Sequence, residues 1–175
     1  MFWDEFGFSF QESLATTWAR KGKRPVLKRV TYDRRALSTA VALTLSGRIY
    51  KRHFEGSIHS KQIIQVLKHM QQHIPGKIIL IWDRASIHIS KKTHAYLCEH
   101  PEIMVEQLPA YAPELNPEAY CHVNVKQHLK NARPSSKYEI RSMLDRDFAR
   151  LRHRPDLLLG FFHAAGLSVR QLRLT

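Results

Sequence analysis

Five apolar residues in a row, Ile78-Ile79-Leu80-Ile81-Trp82, stop abruptly at Asp83. A short continuous run of this kind predicts a strand buried on both faces of a sheet. In open sheets with parallel strands, ligands bind just beyond the carboxyl ends. The residues that follow the run put an acid, a base and an imidazole at that edge: Asp83, Arg84 and His88.

The chain on either side supplies partners for such a strand. Met1 to Glu5 reads as a strand that continues or bends at Phe8 to Phe10, after Gly7. Lys21 to Pro25 reads as a turn, and Val26 to Tyr32 alternates moderately. Ser38 to Thr44 and Arg48 to Phe54 read as two strands joined at Ser46-Gly47, a hairpin signal. The period then changes. Ile63, Leu67, Met70 and Ile74 recur in steps of four, three and four, which predicts a helix from Ser60, its N-cap, to the breaker Pro75-Gly76. A second helix is expected from Ser90 to His100 and a strand from Ile103 to Leu108. Asn116-Pro117 opens a third helix, with Asn as cap and Pro at the first helical position, running to about Asn131. A fourth spans about Ser136 to Arg152, with Ile140, Leu144, Phe148 and Leu151 on one face. The apolar tail from Pro155 reads as docked helix. An antiparallel front joined to strand-helix-strand units gives an α/β fold, a mixed sheet flanked by helices. Residues 1–152 are expected to form one domain, with 153–175 packed on it.

Lys and Arg number 28 against 15 for Asp and Glu, a net charge of +13. Such an excess favours a polyanion, nucleic acid first, because each cation that meets a phosphate releases a condensed counterion. A merely basic, soluble surface is the plain alternative. Cys98 and Cys121 fit no zinc spacing and no disulfide framework, and are expected to be buried small hydrophobes. No stretch is long and apolar enough to span a bilayer, and the start lacks the pattern of a signal peptide. A cytoplasmic protein is expected, nucleoid-associated in a bacterium.

Asp4 shares a strand face with Phe2 and Phe6, toward the covered side of the sheet. A carboxylate there costs several kcal/mol unless paired or metal-bound. It is either a functional acid or a strand-end acid paired with one of many basic residues. Asp83 is either a site residue or the cap of its own turn, through the amides of Ala85 or Ser86. His88 alone reads as a structural hydrogen-bonded histidine or a phosphate contact.

The third element is Leu108-Pro109-Ala110-Tyr111-Ala112-Pro113-Glu114-Leu115-Asn116-Pro117. A strand ending in Trp-Asp, followed some 35 residues later by this segment opening a helix, resembles the catalytic domain of mariner-like insertion-sequence transposases, DDE-superfamily endonucleases. The opening Phe2-Trp3-Asp4-Glu5-Phe6-Gly7-Phe8 resembles that family's first acidic strand. The resemblance covers about residues 1 to 150, and Pro-Glu-Leu-Asn-Pro is its most specific part. It implies a ribonuclease H-like fold with a triad of acids that binds two divalent metals, magnesium or manganese. Carboxylates suit magnesium, a hard cation that prefers oxygen. Two ions roughly 3.5–4 Å apart stabilise both the attacking and the leaving oxygen. The implied chemistry is cleavage at transposon ends by water, then attack of the freed 3′-hydroxyl on target DNA. By resemblance Asp4 is the first metal ligand and Asp83 the second.

The third acid is where the chain departs. By resemblance it sits two residues after the Asn-Pro proline, and here that position is Ala119. Glu118 is adjacent, but neighbours on a helix point about 100° apart, so it is not expected to aim where residue 119 aims. Glu114, in a proline-bounded loop, is a weaker substitute. Three explanations stand: a decayed element, an engineered alanine, or Glu118 serving with altered geometry. A crippled triad is the favoured expectation.

His122, Lys126 and Lys130 recur at four-residue spacing on the same helix, as a phosphate-holding row or a solvated face. With Arg84 and His88 they are the nucleic-acid-binding candidates. Arg20, Lys21, Lys23, Arg24, Lys28 and Arg29 form a second basic cluster. Such contacts position DNA without reading its sequence. The helix-turn-helix modules that the family uses to read transposon ends are expected to lie outside this chain, and a homodimer is a possible assembly. The rivals are a basic DNA-binding remnant without turnover and another ribonuclease H-like nuclease.

Overall fold

A computed structural model describes residues 1–9, 16–26, 37–132 and 134–170. Five strands form one sheet: β1 (Phe2–Phe8), β2 (Leu37–Leu43), β3 (Ile49–Glu55), β4 (Ile78–Trp82) and β5 (Ile103–Gln107). Their order across the sheet is β3-β2-β1-β4-β5. β3, β2 and β1 pair antiparallel, whereas β1-β4 and β4-β5 are parallel. The helices are α1 (Ser60–His73), α2 (Lys91–Glu99), α3 (Pro117–His128), α4 (Lys137–Arg152) and α5 (Pro155–Ala164), with a 3-10 turn at Pro113–Leu115 before α3. The expected mixed sheet flanked by helices is the architecture found.

Strand alternation divides β1 between two layers. Phe2, Phe6 and Phe8 join Val41 and Leu43 against α3, α4 and α5, through Cys121, Val125, Ile140, Leu144, Phe148, Leu158 and Phe162. Trp3 looks the other way, with Ala40, Ala42, Leu80 and Trp82, onto Ile63, Leu67 and Met70 of α1 and Tyr96 of α2. The sheet is therefore the middle of three layers. α5 contributes to the same core as α4, as its apolar run predicts.

Several elements differ from expectation in instructive ways. β4 is not covered on both faces. Ile78, Leu80 and Trp82 are buried, but Ile79 is 51% exposed. The α3-α4-α5 layer sits mainly over β1, β2 and β3; on β4 Ile81 still packs against its core, and Ile79 lies beyond it. Ser60 is the first residue of α1 and not its cap. His59 takes the cap position, where its amide donates to Gln62 Oε1 at 3.2 Å. The Ser60 hydroxyl instead meets Ser90 Oγ, the N-cap of α2, at 2.7 Å. Cys98, expected inside, is exposed, and its Sγ lies 3.6 Å from His94 Nδ1. The hairpin turn holds: Gly47 has φ of 74°, a conformation that favours glycine. α3 ends three residues early, at His128. Phe10 and the stretch from 27 to 32, with Lys28 and Arg29, lie outside the described residues.

Phe148 is fully buried between Phe6 of the sheet and the helix layer, with the two rings 6.1 Å apart. Truncation to alanine leaves a cavity that rigid neighbours cannot close. Phe148→Ala should cost about 3–5 kcal/mol, read as a shift of the urea midpoint at unchanged slope. A loss below about 1 kcal/mol would contradict this packing.

Candidate active site

Parallel pairing sets Phe2 of β1 beside Ile81 of β4. Two residues further along each chain stand Asp4 and Asp83, so the strand register carries both to the same level. Neighbouring strands lie about 4.8 Å apart. Both aspartates line one cleft of about 370 Å³, walled by Arg84 and Ala85 on one side and by the Leu108–Pro113 loop and Asn116 on the other.

Asn116 fixes the third wall. Its Nδ2 donates to the Trp3 carbonyl at 3.0 Å, and its Oδ1 accepts from the Glu118 amide at 3.1 Å. One buried side chain thus caps α3 and ties its start to β1, next to Asp4. Pro117, with no N–H to satisfy, occupies the first turn. The sequence motif is a clamp, and only a side chain with both a donor and an acceptor can close it.

The clamp brings Glu118 against Asp4. One ligand atom each from Asp4, Glu118 and His122 lies within 4.8 Å of the other two. His122 Nδ1 stands 3.1 Å from Glu118 Oε2 and 3.7 Å from Asp4 Oδ2. Glu118 is fully buried, and among the described residues its Oε1 has no hydrogen-bond partner. Burial and then the Glu118 charge, with His122 opposing, push the Asp4 carboxyl up to about 7. Burial, with Glu5 adding, raises Glu118 well above the ordinary range. Two carboxyls crowded out of water, one with an unsatisfied oxygen, are a donor set that a divalent cation fits.

Asp83 is held from outside the cleft. Its Oδ1 accepts from His88 Nδ1 at 2.7 Å and from the Ala85 amide at 3.0 Å, so the turn cap weighed from the sequence exists as well. The second nitrogen of His88, Nε2, meets Glu5 Oε1 at 3.0 Å, and the ring stacks on Trp82 at 4.2 Å. The His88 hydrogen bond pulls Asp83 below the usual carboxylate range. For His88 itself, burial acts to lower the value, but hydrogen bonds to Asp83 and Glu5 outweigh it and raise the imidazole to about 9.

The sequence-selected residues therefore separate. Asp4, Asp83 and Arg84 meet at the cleft. Glu118 approaches Asp4, because the opening turn of α3 faces β1, yet it does not line the open cleft. Ala119, also buried, offers no ligand. His88 is 3% exposed with both nitrogens engaged, which removes it as a phosphate contact. His122 turns inward onto the Phe6 ring at 5.3 Å, so it does not belong to a solvated row. Lys126 is half-buried, its ammonium 5.6 Å from the same ring. Lys130 is exposed, on a groove shared with His128, Arg146 and Arg150. Two residues escaped sequence reasoning. Glu5 lies on the opposite strand face, and nothing local signals its tie to His88. Tyr111 is fully exposed at the cleft mouth with φ of 57°, strained for a tyrosine.

The sequence profile of the DDE superfamily endonuclease matches residues 1–141. The chain belongs to that family. Similar solved structures include the Mos1 transposase paired-end complex with left transposon end, at 18% identity and TM-score 0.66 over 98% of this chain and 55% of that one. The mariner Mos1 paired end complex with Mg matches at 20% identity and TM-score 0.68 over 94% of this chain and 55% of that one. The catalytic domain of Mos1 mariner transposase matches at 18% identity and TM-score 0.60, over 95% and 81%. These likenesses establish the ribonuclease H-like fold. The chain spans about half the length of the longer Mos1 chains. A search of curated proteins gives no match. Among the described residues no helix is long and apolar enough to cross a membrane.

Two outcomes follow for the clamp and the brace. Asn116→Ala removes a helix cap and strands a buried carbonyl, and should cost roughly 1–3 kcal/mol in denaturant unfolding. His88 has a folded value above its unfolded 6.5, so its stabilisation is complete below pH 6.5 and lost as pH rises through about 9. With chelator present, stability should fall by roughly 3 kcal/mol across that window, and His88→Gln should flatten the profile. An equally steep profile in His88→Gln would refute the assignment.

Proposed function

We infer that this chain is the catalytic domain of a DNA transposase, acting on transposon ends and then on target DNA. The observation that carries the reading is the meeting of Asp4, on β1, and Asp83, one residue past the end of the neighbouring parallel strand β4, at one cleft in a chain of net charge +13.

Asp4 and Asp83 are the ligands of magnesium or manganese, two ions being the number that the family's chemistry asks for. When bound, such cations supply Lewis-acid stabilisation of the attacking and leaving oxygens of the phosphodiester. The chain's own residues do the rest. His88, pinned by Glu5, holds Asp83 in one orientation and keeps it ionised. Asn116 fixes α3 against β1, so the cleft wall does not drift. Arg84, at the rim, and Lys130 with Arg146 and Arg150, on the groove beside α3 and α4, hold DNA phosphates; Lys126 braces the same side of α3. A helix-turn-helix module on a separate segment reads the transposon ends, and a second copy pairs with the first to hold two ends. In a bacterium this work takes place on the nucleoid, in the cytoplasm. Residues 1–152 form the catalytic unit, with 153–175 packed on it.

A second reading, a DNA-binding remnant without turnover, is favoured by one observation: alanine stands at 119 while Glu118 is withdrawn from the cleft. Ala119→Glu separates the two. On the first reading the variant should nick duplex DNA with magnesium faster than the parent by roughly tenfold or more. A folded variant with no gain would support the remnant. Lys130→Ala should weaken DNA binding and reduce the salt slope by about 0.9; an unchanged slope would remove Lys130 from the interface.

A further inference from the structure

We propose that Asp4, Glu118 and His122 form a mixed nitrogen-oxygen metal site that takes a first-row transition-metal dication in preference to magnesium. The proposal rests on the reading above for the presence of a cation at Asp4, and goes beyond it in naming an imidazole ligand and the selectivity that follows.

The geometry is local and specific. Glu118 and His122 are one helical turn apart on α3, so both side chains leave the same face. That face meets β1 at Asp4. His122 Nδ1 stands between the two carboxyls, 3.1 Å from one and 3.7 Å from the other. The three donor atoms lie within 4.8 Å of one another. Metal bonds of about 2.0–2.2 Å require them to draw in by about half an ångström at most. The unpartnered Glu118 Oε1 is the independent sign. A fully buried carboxyl oxygen with no donor is costly, and a cation is the partner it lacks.

Selectivity follows from ligand chemistry. Magnesium demands near-octahedral oxygen ligands and keeps several of its waters. Here one ligand is a nitrogen, and Glu118, with no exposed surface, leaves little room for a hydration shell on its side. Imidazole with carboxylate suits manganese, cobalt and zinc better, with affinity rising from manganese toward zinc. His122 is thus assigned to the metal and not to the DNA backbone.

The test uses the purified chain without DNA. Manganese should bind at one tight site, about tenfold or more tighter than magnesium in competition. Electron spin-echo modulation of the bound manganese should show directly coordinated imidazole nitrogen. His122→Asn should abolish the nitrogen signal and weaken manganese by about tenfold or more, while His94→Asn, at an exposed position of α2, should leave both in place. Equal affinity for magnesium, absence of the nitrogen signal, or matching losses in His122→Asn and His94→Asn would each overturn the site. Should His122→Asn fail to fold, the nitrogen signal and the manganese-magnesium competition in the unaltered chain decide alone. DNA nicking is scored separately. A chain that binds manganese through His122 but nicks nothing under any cation sinks the nuclease reading and leaves this site standing.

Discussion

The parallel pairing of β1 with β4 is the constraint on which the rest depends. It is brief, with the Ile81 amide donating to the Met1 carbonyl at 2.8 Å and Phe2 facing Ile81. Yet it joins an antiparallel hairpin sheet to a parallel unit, and it levels two acids that are 79 positions apart in the chain. A slip by one residue would send Asp4 to the opposite face and Glu5 into its place, since side chains alternate along a strand. The two layers police that register. Phe2 and Phe6 fit only the α3-α4-α5 side, and Trp3 fits only the α1-α2 side.

Around this register the charges are arranged unevenly. Asp83 is partly open to water, bonded by a histidine and an amide, and stays ionised. Asp4 and Glu118 are crowded and dry; burial makes each harder to ionise, with the Glu118 charge adding to it at Asp4 and the Glu5 charge at Glu118. The same kind of side chain therefore plays different parts within a few ångströms, set by what surrounds it. The basic excess of the chain relieves this conflict only in part. Lys126 opposes the rise at Glu118, but it lies over Phe6, and among the described residues it forms no ion pair with either carboxyl.

Much of the fold was legible because period and punctuation agree. The stripe of Ile140, Leu144, Phe148 and Leu151 predicts α4, and all four are fully buried. Asn116-Pro117 predicts the start of α3, and the cap bond is there. What failed has physical reasons. The apolar run of β4 could not reveal that the helix layer reaches Ile81 but not Ile79, which stays in the open. Ser60 obeys capping statistics, but a neighbouring serine offered its hydroxyl a better partner. At the site, Asp4 and Asp83 were readable as strand-edge acids. The inward turn of Glu118 and His122 was not, because a helical wheel fixes angles between residues but not the face presented to the sheet. Here a single amide side chain, that of Asn116, chooses the face.

The flat stacking of His88 on Trp82, with planes 5° apart, has an optical consequence. An indole in van der Waals contact with an imidazole senses whether that ring carries a proton, because the added charge perturbs its excited state. Trp82 is therefore a native dye placed beside the brace of Asp83. Its emission offers a view of that hydrogen-bonded network in solution, with no label attached.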